Sequence, residues 1–149
     1  MIIIYGAGKR KTEMNNLVVG DSDGLIALAS KNDVNHQKAV DVSTKWAKAG
    51  FKVFFPNTVI IETITSLKRA KNLPDKAHLI NRQYQQGAFN VLYIDQDIQR
   101  KASVLFEETK SKQNTFFDAI VVSCARYLGA DTIFSFDRWY QKLGYKIAG

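Results

Sequence analysis

The amino-acid sequence predicts an α/β sandwich with a mainly parallel sheet of five strands. Short runs of branched and aromatic residues, most closed by a turn-forming residue, alternate with longer segments in which apolar residues recur at helical spacing. Helical crossovers of that kind connect parallel strands. The 149 residues suffice for one hydrophobic core, and 46% hydrophobic with 23% charged residues is the composition of a globular chain.

Leu17 to Gly20 forms the first buried strand, followed by a helix through Leu25, Ile26 and Leu28 that ends near Lys31-Asn32-Asp33. From His36 to Ala49, Ala39, Val40, Trp46 and Ala47 recur at helical spacing, with Gly50 as the stop. KVFFP makes the second strand, closed by Pro56, which has no amide donor. Asn57 then stands where it caps the helix VIIETITSLKR, whose apolar face carries Ile60, Ile61, Ile64 and Leu67. Pro74 opens a further helix that stops near Gly87. NVLYID is the third strand, Gln96 to about Lys110 a charged amphipathic helix, and FFDAIVVSCARYLG a strongly apolar one. DTIFSF is the fourth strand, RWYQKL a short helix, and Tyr145 to Ile147 the terminal strand. In such a sheet the carboxyl ends of the strands line the ligand crevice. Residues 1–13 stand apart as an N-terminal extension in which MIII has the character of an edge strand or a partner-packing segment, leaving 14–149 as the domain.

No run of 18 apolar residues is present, so no membrane association is expected, and the opening MIIIYGAGKRKTEM reverses the order of a secretory signal. The single cysteine, Cys124, excludes an internal disulfide, fits a packed core thiol and suits a cytoplasmic protein. GAGK lacks the spacing of a phosphate-binding P-loop. Twenty-one basic residues against 14 acidic ones give a formal charge of +7, which attracts a polyanion. Residues 68–82, KRAKNLPDKAHLINR, are the densest basic stretch, suited either to phosphate contact or to solvated helix faces.

Against that basic background several acids occupy conspicuous places. Asp21 closes the first strand and Asp137 follows the fourth, and two such neighbours in a dehydrated crevice call for a compensating cation or proton. Each also precedes a helix and can serve as its cap. Glu62 interrupts VIIETI, where a core-facing carboxylate pays desolvation and an outward-facing one does not. Thr115 and Asp118 have capping-box spacing, which accounts for Asp118 without chemistry and is compatible with metal binding as well.

GDSDGLIAL, NTVIIETITSL, TFFDAIVVSCARYLGAD and TIFSFDRWYQKLG resemble four segments of PIN-domain ribonucleases, in particular the VapC-like toxins of toxin–antitoxin pairs. The likeness covers roughly residues 16–147 and is most specific in the last two segments. It implies a strand order of 3-2-1-4-5 and a metal-dependent ribonuclease using Mg²⁺ or Mn²⁺, with Asp21, Glu62, Asp118 and Asp137 as catalytic and metal-binding residues. Ser22, Asp23, Thr115 and Ser135 would support them, and Arg138 is a candidate RNA contact. Gly20 departs from the bulkier residue usual before the first acid. The resemblance further implies RNA as substrate, a cognate antitoxin and a homodimer.

The residues alone agree on the ion type, since hard carboxylate oxygens suit such cations and neither His36, His78 nor Cys124 supplies a softer set. Trp139 and Tyr140 suit core packing, with base stacking as the alternative. Two other functions compete. Asp21 and Asp23 match the D-x-D pair of haloacid-dehalogenase-like phosphatases, with Asp21 as nucleophile, although Leu25 stands where that family wants Thr or Val. A noncatalytic RNA- or protein-binding module on the same scaffold is the other.

Overall fold

The computed structural model describes residues 15–149, so the expected extension over 1–13 lies outside the described residues. Five strands form one sheet: β1 (Leu17–Gly20), β2 (Lys52–Pro56), β3 (Asn90–Leu92), β4 (Thr132–Phe134) and β5 (Lys146–Ile147). Their order is β3-β2-β1-β4-β5 and every pairing is parallel, as expected. The central strand β1 pairs Val18 with Val53 on one side and with Thr132 on the other.

Seven helices among the described residues make the crossovers: α1 (Ser22–Ala29), α2 (His36–Lys48), α3 (Asn57–Arg69), α4 (Pro74–Gln85), α5 (Gln96–Glu108), α6 (Phe116–Leu128) and the short α7 (Trp139–Lys142). None is long and apolar enough to cross a membrane. In α6 every residue from Ala119 to Ala125 is buried, which is why its sequence is apolar all round. It ends at Gly129, whose φ of 70° is the left-handed conformation that glycine adopts without strain.

Several boundaries differ from the sequence expectation, and local hydrogen bonding accounts for two of them. The first helix stops at Ala29, because Ser30 is extended while its N–H still donates to Ile26 O. The third strand gives up Tyr93 to Asp95, since Ile94 N–H leaves the ladder and donates to Asn57 Oδ1 at 2.9 Å. That bond corrects the assignment of Asn57 as a side-chain cap: Asn57 begins α3 and fastens the exit of β3 to it.

Because all five strands run the same way, the turns after β1, β2, β3 and β4 open on one side of the sheet. Asp21, the start of α3 and the Ser135–Asp137 turn therefore share that side.

Candidate active site

Asp21 follows β1 and is the extended N-cap of α1, its Oδ1 accepting from Ser22 N–H at 2.7 Å. It is also a buried acid, 5% exposed, whose Oδ2 accepts from the Tyr140 hydroxyl at 2.6 Å. The same hydroxyl lies 3.4 Å from Asp118 Oδ1, so one phenol bridges two carboxylates.

Asp118 stands in the first turn of α6 and reaches back to accept from Thr115 N–H at 2.8 Å, the expected capping contact. Its Oδ2 also receives Asn114 Nδ2 at 3.3 Å, and that amide donates to Asp137 Oδ2 at 2.9 Å. Asp137 caps the turn into α7 through Trp139 N–H, 2.9 Å from its Oδ1.

Asp23 takes a different part. Its Oδ2 accepts from Ser135 Oγ at 3.0 Å and Phe136 N–H at 2.8 Å, and its Oδ1 from Gly24 N–H at 2.8 Å. Ser135 Oγ in turn accepts from Asp137 N–H at 3.0 Å. Asp23 and Ser135 thus lock the turn after β4 against the start of α1.

Glu62 sits one turn into α3, half-buried and close enough to Ser22, Asp23 and Asp118 to feel their dipoles and charges. Its Oε1 is buried without a hydrogen-bond partner.

Burial pushes Asp21 well above the usual carboxylate range, and the charges of Asp23 and Asp118 push it further. The Tyr140 hydroxyl and the Ser22 amide oppose the rise by favouring the ionised form. Burial also raises Asp23, Glu62 and Asp118, with hydrogen bonds from Phe136 N–H, the Ser22 hydroxyl and Thr115 N–H respectively acting against it. Among the described residues the ion pairs are those of Asp97 with Arg100 and Lys101, so no lysine or arginine neutralises the clustered acids.

Carboxylate donors suit a hard divalent cation. The orphaned Glu62 Oε1 and the unneutralised charge fit one as well. The acids are not drawn into a ready ligand shell, however: among the described residues no group of three or more His, Cys, Asp or Glu stands in metal-holding proximity. Several of their oxygens face hydrogen-bond donors instead, from Ser22, Tyr140, Asn114 and Thr115.

The sequence reading missed Asn114 and the second role of Tyr140. Asn114 is buried beside its acids, with no local pattern to single it out. Tyr140 packs in the core as expected, yet a sealed tyrosine needs a partner for its hydroxyl, and that requirement was the available signal. Arg138 is exposed beside Asp137. His36 Nδ1 is 2.7 Å from Ala27 O, a packing contact, and His78 is exposed. Burial raises the Cys124 thiol to about 12, which keeps it inert.

The crystal structure of VapC20, a sarcin–ricin loop cleaving toxin of Mycobacterium tuberculosis, is similar at a TM-score of 0.76 and 21% identity, covering 86% of this chain and 95% of that one. A toxin–antitoxin complex from Klebsiella pneumoniae is similar at 0.55 and 19%, covering 81% and 87%. DNA-bound VapBC from Salmonella typhimurium is similar at 0.61 and 12%, covering 90% and 97%. No curated protein matches the chain in sequence. The family model described as PIN domain matches residues 18–144, which displaces the phosphatase alternative. With that match spanning nearly all of β1 to α7, and with a sheet order shared by expectation and structure, the chain belongs to the PIN domain family.

Proposed function

We propose that the chain is a divalent-cation-dependent ribonuclease, the toxin half of a toxin–antitoxin pair, acting in the cytoplasm. The observation that carries this reading is the convergence of Asp21, Glu62, Asp118 and Asp137, from four separate stretches of sequence, on one side of the sheet without a lysine or arginine to balance them. Asp21, Glu62 and Asp118 would hold Mg²⁺ or Mn²⁺, with Asp137 completing the set or serving a second ion. Such an ion supplies Lewis acidity, easing deprotonation of an attacking water and offsetting charge on the phosphoryl oxygens. The chain's own residues do the positioning: Asp23 and Ser135 fix the turn that carries Asp137, Ser22 eases the ionisation of Glu62, and Thr115 anchors Asp118. The basic exterior would draw RNA toward this acidic centre. An antitoxin is part of the proposal, supported by the likeness to toxin–antitoxin structures, and a homodimer is proposed on the family resemblance alone.

Asp21→Asn removes charge with little change in volume. We expect at least about a 100-fold loss of Mg²⁺- or Mn²⁺-dependent cleavage of a labelled RNA, a magnitude typical of losing one preorganised charge in an active site. The circular dichroism spectrum should stay native. Products should carry 5′ phosphate and 3′ hydroxyl ends. Undiminished cleavage by purified Asp21→Asn protein would overturn the role of Asp21, and absence of cation-dependent cleavage by the native protein would leave the noncatalytic module as the better description.

A further inference from the structure

Beside the acids lies an open cleft of about 500 Å³ lined by Asn35, Lys38, Phe136, Arg138, Gln141 and the C-terminal residues Ile147 and Gly149. It borders the site through backbone that the site itself fixes: Phe136 N–H donates to Asp23, and Ala148 N–H donates to Ser135 O at 2.9 Å. Its walls differ from the acidic centre in chemistry. Lys38 and Arg138 are exposed cations without a carboxylate in ion-pair contact among the described residues. Asn35 and Gln141 add amides that can both donate and accept, over an apolar floor of Phe136 and Ile147.

We propose that this cleft is a nucleotide subsite for single-stranded RNA, seating the residue next to the bond that is cut. Lys38 and Arg138 hold the flanking phosphate, and the two amides meet the base edge or the 2′ hydroxyl. A volume of about 500 Å³ falls within the range of small-ligand pockets. The inference rests on the nuclease reading, because the subsite gains its meaning from the neighbouring acids.

Binding is therefore measured apart from cleavage, by fluorescence anisotropy of a labelled 12-nucleotide RNA on Asp21→Asn protein at several salt concentrations. Adding Lys38→Ala and Arg138→Ala should weaken binding about tenfold and reduce the slope of log K against log salt by about 1.4, near 0.7 for each cation removed from the phosphate backbone. Lys101→Ala with Arg126→Ala, in the groove between α5 and α6, should leave affinity within about twofold. Unchanged affinity and slope in the Lys38/Arg138 variant, or an equal loss in the Lys101/Arg126 variant, overturns the subsite whatever happens to cleavage. Absence of cation-dependent cleavage by the unmutated chain, with the Lys38/Arg138 effect on binding intact, overturns the nuclease reading alone, and absence of RNA binding by the unmutated chain overturns both.

Discussion

The Tyr140 hydroxyl donates to Asp21 at 2.6 Å from a ring sealed in the core. That bond favours the ionised carboxylate, so Tyr140→Phe should raise the Asp21 carboxyl further while keeping the packing. On the ribonuclease reading, the rate–pH profile of the variant should rise at higher pH than that of the native protein, with a larger deficit at pH 6 than at pH 8. Stability should fall by about 1 kcal/mol for the missing hydrogen bond. An unshifted profile would mean that the hydroxyl serves packing only. Asp21, Glu62, Asp118 and Asp137 were legible in the sequence because each breaks a local pattern: an apolar run ended by an acid, a carboxylate inside VIIETI, or a capping box. Tyr140 and Asn114 break none. Their hydrogen-bond partners, Asp21 and Asp137, stand 119 and 23 positions away, and only the folded topology brings them together.

Gly20, the residue that departs from the family's habit, and Gly24 mark two close approaches between elements. A Cβ on Gly20 would come within 2.1 Å of the Phe55 ring, so the β2 aromatic fills the space that a bulkier residue would take on β1. A Cβ on Gly24 would meet Phe134 O at 2.5 Å, pressing α1 against the backbone of β4. Alanine at either position should cost about 1–3 kcal/mol in denaturant unfolding. Phe55→Leu should recover much of the loss for Gly20→Ala, because the obstacle is a side chain, and none of it for Gly24→Ala, because the obstacle is a carbonyl. Equal recovery in both would refute the packing account. The elements were readable from apolar runs and their turn residues, while their ends depended on competition invisible in one segment. Asn57, for example, has the chemistry of a cap but gives its carbonyl to Ile94 N–H across the sheet.

Folding gathers acids whose carboxyls rise on burial, so the folded chain binds protons more tightly than the unfolded one at Asp21, Asp23, Glu62 and Asp118. Unfolding free energy contributed by these groups is therefore greatest below their unfolded values and declines as pH rises through the folded ones. Cation-free protein should melt higher near pH 5 than near pH 7.5, and Asp21→Asn with Asp118→Asn should flatten that difference. At pH 7.5, Mg²⁺ or Mn²⁺ at a hundredfold excess over its Kd should stabilise the native chain by about 2.7 kcal/mol. That corresponds to a rise of roughly 5–10 °C at this chain length, and the double variant should lack it. Stability that climbs with pH over this range in native protein and variant alike would sink the account. The pairing of β1 with β4 has a separate consequence, for synthesis. Val18 is synthesised well before Thr132, its neighbour in the sheet, which lies 114 positions further along the chain. A nascent chain thus exposes Asp21 long before the turn that faces it exists, and a chain interrupted between the two cannot gather the clustered acids.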